Sequence, residues 1–153
     1  HAAIVSPTRI GDVDTEWSEQ RREAADEHAA RLRRRQEAEN ARAQQLLDAF
    51  AAAAVRAGLP AERLQVTGYG GRGRASSDVT GWYVRQDRSM GIGTDGGLYV
   101  LTAPIGFAER LRGIHLKRVP PPMVLGAGGR DGDSIDLPDA LERLLPGWQG
   151  LQD

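Results

Sequence analysis

From Asp12 to Ala57 the chain contains neither glycine nor proline, and Gly58-Leu59-Pro60 then follows. This uninterrupted run predicts a helix over Thr15–Ala57. Asp14 or Thr15 can cap its first amides, and Glu16 and Glu19 place negative charge at the positive end of its dipole. Gly58 suits the left-handed cap that ends a helix, and a proline just beyond cannot continue one. The first dozen residues, through Ile4, Pro7 and Gly11, show no period and read as an extended lead-in. Forty-three residues from Thr15 to Ala57 span about 64 Å at roughly 1.5 Å per residue. A compact domain of this chain length is only about 40 Å across. The helix therefore either breaks near Gln36–Asn40 or carries its first half clear of its own domain.

Large apolar residues show where the core lies. Residues 1–45 hold six of them (Ile4, Val5, Ile10, Val13, Trp17 and Leu32), whereas residues 46–153 hold 34. The expected organisation is an extended lead-in and polar helical arm over 1–45, followed by a globular α+β domain over 46–153. Along the arm and into the domain, steps of four and three run through Ala25, Ala29, Leu32, Gln36, Glu39, Ala43, Leu46, Phe50, Ala53 and Ala57, a coiled-coil-like seam whose apolar positions are mostly alanine. Residues 15–45 carry seven acids and seven arginines. Trp17, Ala25 and Leu32 are the candidate partner contacts on this arm.

After Pro60 the signal changes to short strands at Leu64–Thr67, Thr80–Arg85, Ser89–Thr94 and Leu98–Thr102. Thr94-Asp95-Gly96-Gly97-Leu98 is a hairpin signal, because Asp-Gly accepts the positive backbone angles of such a turn. Pro104–Arg112 reads as a short helix, and Ile114–Val119 and Met123–Gly126 as strands flanking Pro120-Pro121-Pro122. Asp136 caps a last helix through Leu145, with Trp148 covering the edge of the core beyond it. The expected fold is α+β: a long N-terminal helix, an antiparallel sheet of about five or six strands with a meander first, and a short middle helix and C-terminal helix on one face. By succession of elements alone, and through no shared motif, this order resembles the secretion-chaperone type of α+β domain. That resemblance implies a peptide-binding or dimerising surface. Trp82 and Tyr83 are neighbours on one strand and must face opposite sides, so one belongs to the core and the other is a candidate partner contact.

Charge is unevenly placed. The net charge is −2 over residues 1–55, +6 over 56–130 and −5 over 131–153. Either the acidic end neutralises the basic middle, or the middle offers an anion-binding surface. Arg72 and Arg74 stand with Tyr69 in the glycine-rich segment Gly68–Arg74, a short RG-type stretch of the kind that stacks and pairs with single-stranded nucleic acid. Arg85 and Arg88 follow, and His115, Lys117 and Arg118 complete the candidate surface. On Ile114–Lys117 alternation sends Ile114 and Leu116 to one face and His115 and Lys117 to the other. A single lysine among 20 basic residues is as well explained by a high-GC, bacterial-type composition as by arginine's bidentate grip on phosphate.

Catalytic equipment is sparse. There is no cysteine, which excludes disulfides, thiolate metal sites and cysteine nucleophiles. Of three histidines, His1 is terminal, His28 lies in the polar arm and His115 on a strand. Gly68–Gly73 and Gly91–Gly96 both match GxGxxG, but neither opens a helix where a pyrophosphate would sit. Asp131–Asp136 with Glu142 imitates a calcium loop and fails at Ile135 and at Asp136, where glycine is needed. No residue is assigned as catalytic, cofactor-binding or metal-ligating, and no cofactor is expected. No apolar run is long enough to span a membrane, so no membrane partner is expected and the location is read as cytoplasmic.

These features favour a non-enzymatic interaction module that pairs with a second copy or another protein through its N-terminal helix. One alternative is a nucleic-acid-binding accessory protein using the basic 56–130 segment. A third is an enzyme acting on a small anionic ligand around Arg85, His115 and Lys117, which requires a deep pocket with a carboxylate close to His115.

Overall fold

A computed structural model describes residues 8–126 and 134–151 of the chain. The elements are α1 (Thr8–Ala57), β1 (Glu62–Thr67), β2 (Arg74–Tyr83), β3 (Met90–Gly93), β4 (Leu98–Val100), α2 (Phe107–Arg112), β5 (Val124–Leu125), β6 (Ile135–Asp136) and α3 (Leu137–Leu144). The fold is α+β. Strands β1 to β4 form one antiparallel sheet in sequence order, a meander, and β5 and β6 form a separate antiparallel pair. The chain divides into two compact units, residues 1–38 and residues 39–153. The calcium-like stretch at Asp131–Asp133 lies outside the described residues.

Helix α1 runs unbroken for 50 residues, so there is no interruption at Gln36–Asn40. It begins at Thr8, earlier than the expected cap at Asp14 or Thr15, because Gly11 in a helix interior costs only about 1 kcal/mol and does not stop it. It ends where glycine dictates. Gly58 has φ of +75°, its N–H donates to the Val55 carbonyl at 3.1 Å, and the Leu59 N–H donates to the Ala54 carbonyl at 2.9 Å, which is the pairing of a Schellman cap.

In the second unit the sheet is covered on both faces. Ala43, Leu47, Phe50 and Ala54 from α1 pack with Trp82, Ile92 and Leu98 from the sheet, and Leu137 and Leu141 from α3 join the same cluster. Phe50 sits at its centre, edge-on to Trp82 at 5.7 Å and to Trp148 at 5.5 Å between ring centroids. The opposite face gathers Leu64, Val66, Tyr99 and Leu101, against which Ile105 and Ile114 pack. Each leucine fully withdrawn from water contributes about 1.5–3 kcal/mol, so these two clusters are the main source of stability.

Three sheet expectations are corrected. The five- or six-stranded sheet is a four-stranded sheet plus a two-stranded pair. Ile114–Val119 is not a strand: Ile114 bridges Ser77 in parallel, Val119 bridges Leu98, and nothing between them joins a ladder. The segment is extended because it crosses from the edge of β2 toward β4, touching one strand at each end. Strand β2 also starts earlier than expected, at Arg74, pairing Arg74, Ala75 and Ser76 with Thr67, Val66 and Gln65.

Candidate functional site

In residues 13–38, every side chain from Val13 to Trp17 is exposed, and so is Leu32. Trp17 is 58% and Leu32 49% exposed. Spacings of three and four residues set opposite charges next to one another along the helix at Glu19 and Arg22, Glu27 and Arg31, and Arg33 and Glu37. Its charges are nevertheless segregated. Residues 13–27 hold six carboxylates and two arginines, and residues 28–38 hold four arginines and one carboxylate. The net values are −4 and +3, on successive stretches of one rigid element. Ala25, the third expected contact, is exposed on the acidic stretch.

The remaining expected contacts lie in the second unit and offer little open area. Trp82 is buried, with its indole N–H donating to the Leu59 carbonyl at 3.2 Å. Tyr83 faces the other way and is half-buried: its hydroxyl accepts the Gln65 N–H at 2.9 Å and the Arg88 guanidinium stands over its ring at 5.0 Å.

The basic residues fall into two sets. Arg85 donates to the Gly126 carbonyl at 3.0 Å and lies 3.7 Å from Asp87. Arg88 is taken up by Tyr83. Arg118 pairs with Asp95 at 3.3 Å. His115 pairs through Nδ1 with Asp78 Oδ2. By contrast Arg72, Arg74 and Lys117 are exposed and have no acidic partner among the described residues. Arg110 and Arg112 on α2, which sequence reasoning passed over, share that condition.

The carboxylates between residues 63 and 126 are Asp78, Asp87, Asp95 and Glu109, and each is used internally. The Leu116 N–H, then the His115 side chain, hold Asp78 below the usual aspartate range. The Ser89 hydroxyl, donating at 2.6 Å, does most to lower Asp87. Burial pushes Asp95 up, but the Gly97 N–H, the Tyr99 hydroxyl and Arg118 together outweigh it and the carboxyl is lowered. Glu109 accepts the Gly106 N–H at 2.7 Å at the start of α2. These acids therefore stabilise turns and loops, leaving the five cations, and Arg63 with them, without an acidic partner among the described residues.

Helix α2 buries none of its residues. Phe107 is 78% and Leu111 71% exposed, one turn apart on the same side. The helix is held by what flanks it, Ile105 and Ile114, which pack on the second cluster. The turn that carries Tyr69, itself 64% exposed, lies beside it: a Cβ on Gly68 would be 3.3 Å from Ile105, and one on Gly73 would be 3.0 Å from the Arg110 guanidinium. Beneath α2 an open recess of about 430 Å³ is lined by Arg63, Arg110 and Arg112 together with the Asp78–His115 pair. Arg85 lines a different recess, with Asp139 and Arg143, so Arg85 and His115 do not meet in one site. Among the described residues no helix is long and apolar enough to cross a membrane.

No protein family, curated protein or solved structure matches this chain.

Proposed function

We propose that this chain is a non-enzymatic interaction module that self-associates through residues 13–38 of α1, with the two helices antiparallel. The observation that carries the proposal is the division of one continuous helix into a −4 stretch and a +3 stretch. Parallel alignment would set like charge on like charge. Antiparallel alignment sets each acidic stretch against the partner's basic one, and this selects both orientation and partner. Exposed ion pairs contribute only about 0.2–1 kcal/mol each, so the charges specify and the apolar residues hold. Trp17, Val13 and Leu32 are exposed on this stretch and supply that contact area.

Light scattering of the full chain at low and at high salt tests the reading. The expected result is a mass of twice the chain at low salt, shifting toward the monomer as salt screens the pairs. Replacing Trp17 by Ala is expected to lower the dimer fraction at every salt concentration. A monomer throughout overturns the proposal.

A further inference from the structure

We infer that the surface formed by α2 and the Gly68–Gly73 turn binds single-stranded nucleic acid. The inference does not depend on helix pairing, since it concerns residues of the second unit only.

Charge sets the class of partner. Arg72, Arg74, Arg110 and Arg112 are exposed with no acidic partner among the described residues, while Asp78, Asp87, Asp95 and Glu109 are committed to internal hydrogen bonds. A polyanion can neutralise these cations without competing with an internal salt bridge. All four are arginines, whose planar donor forks match phosphate oxygens.

The exposed aromatics choose among polyanions. The chain has eight aromatic residues. In the second unit Phe50, Trp82, Tyr99 and Trp148 are buried and Tyr83 is half-buried, so Tyr69 and Phe107 are the two left open. Both belong to the cationic surface, since Gly68 lies close to Ile105 and Gly73 close to the Arg110 guanidinium. Nothing in the fold requires their exposure. Aromatic rings beside unpaired arginines form a stacking platform for unpaired bases, with the phosphates held at the flank. A duplex hides its base faces and gains only the backbone contacts.

The test is fluorescence anisotropy of the full chain with a labelled, mixed-sequence single-stranded DNA of about 20 nucleotides, longer than the usual footprint of a single-strand-binding fold. Neutralising four phosphates gives a slope of about −2.8 in log affinity against log salt, so affinity is expected to fall about fiftyfold between about 50 and 200 mM salt. Arg110→Gln with Arg112→Gln removes two contacts and is expected to flatten that slope by about 1.4. Phe107→Ala and Tyr69→Ala are each expected to weaken binding at least about fivefold, the loss of one stacked base. These side chains are exposed, so the variants should melt as the parent does, and melting curves confirm it. Three results overturn the inference: no binding at the lowest salt, binding unaffected by both aromatic substitutions and displaced equally by inorganic polyphosphate, or vesicles containing phosphatidylserine displacing the oligonucleotide through Phe107 and Leu111.

Discussion

Asp78 joins two parts of the chain through both of its oxygens: Oδ2 pairs with His115 Nδ1, and Oδ1 accepts the Leu116 N–H at 3.0 Å. The same stretch exchanges backbone bonds with β2, Ile114 N–H to the Ser76 carbonyl at 2.8 Å and Asp78 N–H to the Ile114 carbonyl at 3.1 Å. One carboxylate thus locks an extended crossing segment that no ladder holds.

That clasp should titrate. Asp78 is held below its ordinary value of 3.8, first by the Leu116 N–H and then by His115. A lowered carboxylate contributes stability that is fully present above the unfolded value and is lost as pH falls through the folded one. Asp78→Asn is therefore expected to melt lower than the parent at neutral pH, with the two converging as pH drops below about 4. Melting temperature against pH for both proteins checks this, and curves that stay parallel through the acid range would contradict it.

Asp95 performs the corresponding task in the β3–β4 hairpin, accepting the Gly97 N–H at 2.9 Å and the Tyr99 hydroxyl at 2.8 Å, with Arg118 at 3.3 Å. Asp95→Ala leaves the hydroxyl of the buried Tyr99 without its acceptor. The expected loss is about 1–3 kcal/mol, read from the midpoint of urea unfolding.

The two phenylalanines make an internal comparison. Phe50 is fully buried between Trp82 and Trp148, and Phe107 is almost fully exposed. Phe50→Ala is expected to cost about 3–5 kcal/mol. Phe107→Ala is expected to change stability by less than about 0.5 kcal/mol. Urea midpoints that ranked the two the other way would show that α2 is part of the core.

Much of the fold was legible because local chemistry dictated it. The run without glycine or proline produced the long helix, Gly58 ended it, and Asp95-Gly96 made the hairpin, with Gly96 at φ of +87°. The first half of β2 was missed because Arg74–Asp78 is small and polar and shows no apolar alternation; its pairing with β1 supplies what its sequence does not. Ile114–Val119 was over-read for the opposite reason. Its alternation is genuine, with Ile114 and Leu116 against the second cluster and His115 and Lys117 exposed, but alternation reports a covered face and not a ladder.

The cationic surface was legible as a region and not as residues. Which cations remain uncompensated depends on partners distant in the chain: Arg118 on Asp95, His115 on Asp78, Arg85 on the Gly126 carbonyl. No local pattern announces those pairs. Arg110, Arg112, Phe107 and Leu111 were passed over because an i, i+4 apolar pair on a short helix normally faces a core. Here Ile105 and Ile114 on either side anchor the segment instead.

The pairing of the helical arms is tested most directly by exchanging their charge. In one variant Arg31, Arg33, Arg34 and Arg35 become Glu; in the other Glu16, Glu19, Glu23 and Glu27 become Arg. Antiparallel pairing matches each stretch to the opposite stretch of its partner, so each variant alone, with one sign along its whole arm, should repel itself. The mass measured by light scattering is then expected to be that of a monomer for either variant alone and that of a dimer for their equimolar mixture. Two variants that behave as the parent does, or a mixture that stays monomeric while the parent is a dimer, would contradict the account.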